Sequence, residues 1–305
     1  HAFADGWSSE IISDELTTLL FESPLPLPPA PLVQYADFAV WQRQRLDDGG
    51  VLAEQLEYWK EQLSGAPEAL ELITDRPRPS AQTFVGVAVA MPLVKASTWS
   101  VLKSRGQSAD GATPFAVASA CWALMLGRHA QQEEVMIGAA VHGGRESEQL
   151  SRTVGYLVNT AALRIDMRGT LSVHELMRRS GATVRAALTH SDGMWATVAS
   201  ALRSRVDASR TPLYQTVVLM GEFSTSADSI DEILEYSTVA RFDIELHMTK
   251  EAADGSIGGV IVYNRDLFDQ ETIERMAERL HMIMTQMALS PLSSPLSEVK
   301  MIPIE

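Results

Sequence analysis

The sequence predicts an α/β layered protein, and three observations carry that expectation. Short stretches rich in β-branched residues, with alternating apolar positions, recur beyond residue 80. Between them lie longer stretches in which apolar residues return at helical spacing. Finally, 46% of the 305 residues are hydrophobic against 21% charged, enough to bury a substantial core in one large or two ordinary domains.

From the start of the chain, residues 9–20 carry Ile11, Ile12, Leu16, Leu19 and Leu20 as one stripe, which predicts a helix. Residues 23–31 hold five prolines and read as an extended connector. A helical pattern then runs over 33–63, with a break at Asp48-Gly49-Gly50 and an end at Gly65-Ala66-Pro67. Asp75-Arg76-Pro77-Arg78-Pro79 marks a boundary, dividing the chain into 1–80 and 81–305. Beyond it, β-branched and alternating content predicts strands over 83–91, 134–141, 156–165, 214–220, 241–248 and 257–263. Helices are expected over 95–105, 114–128, 173–188, 195–203 and 270–288. The last presents Ile273, Met276, Leu280, Ile283, Met284 and Met287 on one face. Residues 290–305 read as a short tail with proline and serine, leading toward another domain.

Composition narrows the function. With 25 Lys and Arg against 39 Asp and Glu the net charge is −14, which argues against a track for nucleic-acid phosphates. The single cysteine, Cys121, sits in an apolar run and reads as a core thiol in a reducing compartment. No apolar run approaches the ~20 residues that span a bilayer, and no signal peptide is present, so the expected location is cytoplasmic. The missing initiator methionine suggests a fragment or excised segment.

The chain opens His1-Ala2-Phe3-Ala4-Asp5-Gly6-Trp7-Ser8. A histidine four residues before an aspartate and a glycine, at the start of a helix, places an imidazole in a cleft while the carboxylate holds the loop. Alone, such a spacing is common by chance. The stretch Tyr35-Ala36-Asp37-Phe38-Ala39-Val40-Trp41, however, resembles the Y-x-D-F/Y-A-V-W signature of condensation domains from nonribosomal peptide synthetases. His1 to Ser8 is similar to the end of that family's HHxxxDGWS motif. Val154-Gly155-Tyr156-Leu157-Val158-Asn159-Thr160-Ala161-Ala162-Leu163-Arg164 is similar to its V/I-G-x-F-V-N-T-x-x-x-R motif. Arg205-Val206-Asp207-Ala208-Ser209-Arg210-Thr211-Pro212-Leu213 is similar to R-x-x-S-R-x-P-L. The resemblance covers nearly the whole chain.

The resemblance implies a chloramphenicol-acetyltransferase-like pair of lobes with the active centre between them. Residues 1–80 would end an incomplete N-terminal lobe, and 81–305 would form the C-terminal lobe. The implied activity is amide-bond formation between a donor acyl or peptidyl thioester and the amine of an acceptor aminoacyl thioester. Both are presented on 4'-phosphopantetheine arms of peptidyl carrier proteins, with no bound cofactor, and the isolated fragment is expected to be inactive. The upstream and downstream carriers and the adjacent synthetase domains are the implied partners, with neither nucleic acid nor membrane. Alternatives are a condensation-like recruitment domain without catalysis, and an epimerization domain. The order Asp5-Gly6-Trp7-Ser8 speaks against epimerization domains, whose motif generally continues D-G-x-S-W; His1 and Gly6 speak against the dead variant.

Residue roles follow from the same resemblance. A free α-amine has a pKa of ~8, so roughly a tenth is neutral at pH 7 and a strong base is not essential. His1 either takes the proton released during attack or orients the amine. Asp5 pairs with an arginine, Arg145 by motif position or Arg164 as the alternative. Gly6 either turns an amide toward the developing oxyanion or is a plain loop glycine. Trp7, Ser8, Asn159 and Thr211 are candidates for lining the substrate tunnel, Asn159 alternatively bonding across the lobe interface. Tyr35, Phe38 and Trp41 read as packing residues. His190-Ser191-Asp192 matches only the beginning of an H-x-D-x-P-F-E block, which leaves His190 and Asp192 without an assigned role. His129, His142, His174, His247 and His281 have no metal-ligand spacing, and Gly143-Gly144 lacks the phosphate-loop pattern, so neither metal nor nucleotide is expected.

Overall fold

The computed structural model describes residues 4–21, 28–48, 50–141, 144–145, 147–169, 171–193, 195–202, 207–221, 230, 234–235 and 237–301. Three helices come first: α1 (Gly6–Phe21), α2 (Tyr35–Asp48) and α3 (Val51–Leu63). There follow β1 (Gly86–Ala90), α4 (Ala96–Ser108), α5 (Pro114–Ala130), β2 (Glu134–Val141), β3 (Asn159–Asp166), α6 (Val173–Thr189) and α7 (Trp195–Leu202). The chain continues through β4 (Thr216–Met220), β5 (Ile244–Met248), β6 (Gly259–Asn264), α8 (Gln270–Leu289) and a 3₁₀ turn, Leu296–Glu298.

All six strands join one sheet in the order β1-β6-β5-β4-β2-β3. β4 is parallel to both β5 and β2, whereas β1–β6, β6–β5 and β2–β3 are antiparallel. Helices α4, α5, α6 and α8 pack against one another and onto the strands. α5 enters this core almost entire, Ala116 through Gly127 being buried. Its start is fixed by Thr113, whose hydroxyl accepts the Ala116 amide, and by Pro114 in the first turn, where a missing N–H is harmless. Ser172 caps α6 in the same way through the Glu175 amide. Cys121 is fully buried there; loss of hydration pushes its thiol up to about 12, and it lies 3.7 Å from the Met287 sulfur.

Trp59, Leu70 and Leu72 belong to this same core, so the segment after α3 is built into the sheet and helices that follow. Arg78 pairs with Asp243, and Arg164 reaches the Gln62 and Ser64 carbonyls at the end of α3. On the strand positions alternate to Ile137 and Ala139, Gly138 leaves room for the Tyr214 ring, which a Cβ would meet at 2.3 Å. Tyr214 continues a chain of rings through Trp195 to Trp59.

α1 forms as expected, but its apolar stripe is not buried against the described residues: Leu16, Leu19, Leu20 and Phe21 are exposed. The helix is anchored instead by polar contacts, Arg152–Glu15 at 2.6 Å and Lys250–Glu10 at 3.5 Å. Nor is the stretch 290–301 a loose tail. Leu296 and Val299 are buried, Arg128 donates to both of their carbonyls, and Leu296 N–H donates to Leu171 O at 2.8 Å. Of the proline connector, residues 28–31 are described and those at 22–27 lie outside the described residues.

Candidate active site

The first turn of α1 organises the site. Asp5 occupies the position before Gly6, and its Oδ1 accepts the Ser8 amide at 2.9 Å, the cap that an aspartate gives a helix start. The same carboxylate receives Ser8 Oγ at 2.8 Å, Leu157 N–H at 3.0 Å, and Arg145 through Nε at 3.1 Å and Nη2 at 2.8 Å. Asp5 and Arg145 are both buried, the arginine to 0% exposure. Burial pushes the Asp5 carboxyl pKa up, but the Ser8 amide and hydroxyl, the Leu157 amide and the Arg145 charge outweigh it and hold it below the ordinary aspartate value. A carboxylate so saturated with donors is a fixed anion and has no lone pair directed to a substrate.

Arg145 is used to the full. Besides Asp5 it donates to Thr153 O at 2.7 Å, Gly155 O at 3.0 Å and Ser8 Oγ at 2.8 Å. This binds α1 to residues 151–157, a strap that leads into β3. Trp7 Nε1 donates to Ser151 O at 2.8 Å, Thr153 Oγ1 to Val33 O at 2.8 Å, and the Tyr35 ring lies against Gly155. His1 lies outside the described residues, as do His142, Gly143, Arg205 and Val206; the chain reaches the site from Ala4. Gly6 is exposed at the first helical position, where an amide has no intrahelical acceptor.

The remaining candidates divide. Arg164 does not reach Asp5; it pairs with Glu134 at 2.8 Å and caps α3. Ser8, a tunnel candidate, is instead fully buried inside the charge cluster. The Asn159 side chain is partly buried and holds the turn before α7. Its Nδ2 donates to Ser191 O and Gly193 O at 2.8 and 2.7 Å, and its Oδ1 accepts Trp195 N–H at the start of α7. Trp7 is exposed beside the strap. Thr211 lies elsewhere, in a cleft of about 740 Å³ with Leu63, Met136, Arg210 and Gln215, and its hydroxyl accepts from Gln82 Nε2. Met136 and Val141 are about 17 Å apart along β2, which separates that cleft from the Arg145 end.

Tyr35, Phe38 and Trp41 do stack in series along α2, with centroids 6.4 and 5.9 Å apart; Phe38 is buried and Trp41 exposed. His190 stacks on Tyr58 at 3.6 Å, and Asp192 pairs with Arg45 at the surface. His247 is buried against Glu245 at 2.9 Å, and among the described residues no three His, Cys, Asp or Glu side chains are grouped to hold a metal. Sequence reasoning passes over Ser8 and Gly155 as partners of the ion pair. The signal for Asp5 is present, since an aspartate directly before a helical stretch is a favoured N-cap residue, whose side chain accepts an amide two or three positions on.

The fold of this mixed six-stranded sheet and its helices is shared with solved condensation domains. The X-domain in its complex with OxyB from teicoplanin biosynthesis superposes with a TM-score of 0.83 at 22% identity, covering 100% of this chain and 69% of that one. The four-domain nonribosomal peptide synthetase holo-AB3403, bound to AMP and glycine, gives 0.83 at 22% identity over 98% of this chain and 24% of that one. The family described as Condensation domain matches residues 1–305, and the chain belongs to it. It is 34% identical over 311 residues to malpibaldin synthetase of Mortierella alpina, 99% of this chain but 6% of that protein's length. No helix among the described residues is long and apolar enough to cross a membrane.

Proposed function

We propose that the chain catalyses amide-bond formation between two carrier-bound thioesters. The nitrogen lone pair of the acceptor aminoacyl group attacks the donor thioester carbonyl; the C–N bond forms, the C–S bond breaks, and the donor arm leaves as a thiol. Membership of the condensation-domain family and the 34% identity to malpibaldin synthetase support this reading. The observation that carries it is the saturated Asp5 carboxylate, a device for holding a loop still. It anchors the turn that follows His1, and His1 accepts the amine's proton or orients the amine. Proton acceptance of this kind is typically worth ~10²- to 10⁴-fold. The Gly6 amide, at a helix start, supplies a donor for the oxyanion.

On this reading residues 1–80 end one lobe and 81–305 form the other, with Trp59 to Arg78 anchored on the latter. Donor and acceptor arrive on 4'-phosphopantetheine arms of carrier proteins, and the adjacent synthetase domains are further partners. The work takes place in the cytoplasm. A second reading, recruitment without catalysis, is favoured by one observation: an X-domain seen in complex with OxyB shares the fold. The deciding experiment supplies the full-length protein with one carrier loaded with donor and one with acceptor. Amide product that requires both carriers supports catalysis; faithful carrier binding without product supports recruitment.

A further inference from the structure

Ser8 stands at the third position of α1, 0% exposed, with four polar atoms around its hydroxyl. Gly155 N–H and Arg145 Nη2 donate to it at 3.0 and 2.8 Å; its single proton goes to Asp5 Oδ1 or to Gly155 O, each at 2.8 Å. A hydroxyl offers one donor and two acceptor positions, so this set uses all of it. Both backbone groups of Gly155 are thereby within its reach. Among the described residues, no other side chain of the cluster holds the Gly155 amide.

Where a Gly155 side chain would stand lies Tyr35. A Cβ built on Gly155 would come within 2.3 Å of the Tyr35 ring, so the glycine lets the ring lie directly on the backbone. The strap is therefore met at one residue by two helices, by α1 through Ser8 and by the start of α2 through Tyr35. Two residues further on, the Leu157 amide reaches Asp5, and two more bring the chain to Asn159 at the head of β3. The register between the turn that follows His1 and the sheet runs through this grip as well as through the charge pair.

We propose that Ser8 is a positioning residue: its hydroxyl locks the strap at Gly155 to the first turn of α1, the turn that follows the motif histidine in sequence. The Asp5–Arg145 pair holds the Thr153 and Gly155 carbonyls and the Leu157 amide; Ser8 adds the hold on the Gly155 amide. This proposal rests on the reading of the chain as an amide-forming domain, but only for its kinetic consequence.

The test compares wild type, Ser8→Ala, Tyr35→Ala and the double variant in the full-length protein. Hydrogen exchange of the segment 151–157 reads the lock without any chemistry. Ser8→Ala should speed exchange there by roughly tenfold or more while β2 and β3 keep their protection. In single-turnover transfer between loaded carriers, Ser8→Ala should lower the rate by about 10- to 100-fold, the scale of a sub-ångström to 1 Å misplacement, with KM for the acceptor carrier within about twofold. Tyr35→Ala should also slow transfer, and the double variant should be less than multiplicatively worse, because both act through Gly155. Unchanged exchange at 151–157 overturns the lock. Faster exchange with an unchanged rate overturns the positioning role. If wild type itself forms no amide, the proposed function falls, and the exchange result alone decides whether Ser8 holds the strap.

Discussion

Replacing Arg145 by leucine removes the cation that faces a carboxylate water does not reach. The side chains of Asp5 and Arg145 are 1% and 0% exposed, and the arginine also serves the Thr153 and Gly155 carbonyls. Breaking one side of a buried pair strands the other charge, at ~3 to 5 kcal/mol. Asp5 would keep three donors, the Ser8 amide and hydroxyl and the Leu157 amide, which places the loss toward the lower end. For a domain of this size each kcal/mol moves the melting temperature by roughly 2–4 °C, so Arg145→Leu should lower Tm by roughly 6–15 °C. Adding Asp5→Asn removes the stranded charge, and the pair should couple by ~1 to 3 kcal/mol, making the double variant more stable than the sum of the singles. Arg145→Lys should not restore stability, because one ammonium cannot span the acceptors that a guanidinium fork reaches. Scanning calorimetry at pH 7 of wild type, Arg145→Leu, Asp5→Asn, the double variant and Arg145→Lys is the assay. A single variant with unchanged Tm, or strictly additive losses, would refute the coupling.

Three further outcomes are expected. The folded-state pKa of His129 is depressed to about 4 by burial and the Arg279 charge, while the unfolded chain titrates near 6.5; the unfolded state binds more protons between these values. Stability is therefore fully present above about 6.5 and falls as pH drops toward 4, and His129→Gln should flatten that slope in urea titrations at stepped pH. Gly138→Ala would drive a methyl into the Tyr214 ring, and overpacking of this kind should cost ~1 to 3 kcal/mol in denaturant unfolding. Cys121, fully buried with its thiol raised to about 12, should resist alkylation in the native protein and react at once in urea.

Much of this architecture is legible in the residues. Every expected strand is present, and in Ile244–Met248 the alternating Ile244, Leu246 and Met248 are buried, while Glu245 and His247 between them are buried as well and bond each other. The break at Asp48-Gly49-Gly50 also appears, with Gly50 at φ 70, a conformation glycine adopts freely. Strand order is not legible, since nothing local specifies that β4 lies between β2 and β5. The partners of the Asn159 amide are not legible either, since its motif does not say that the side chain bonds the Ser191 and Gly193 carbonyls and the Trp195 amide some thirty residues on. The end of the chain departs from expectation. Proline and serine describe Pro291 to Pro295 as irregular, while the carbonyls that Arg128 seizes are invisible in composition. The Asp5–Arg145 pair follows from motif position, and it spans 140 residues of sequence, a distance no periodicity argument crosses.

The central claim is that His1 acts on the amine while Asp5 holds the turn that follows it. Single-turnover amide formation between loaded donor and acceptor carriers, followed across about pH 6 to 9 for the full-length protein, His1→Ala and Asp5→Asn, tests it most directly. The account predicts a ~10²- to 10⁴-fold loss for His1→Ala. It predicts for Asp5→Asn a loss that comes with a lowered Tm and leaves the shape of the pH profile unchanged. Product formed at the wild-type rate by His1→Ala, or a pH profile reshaped by Asp5→Asn, would contradict it.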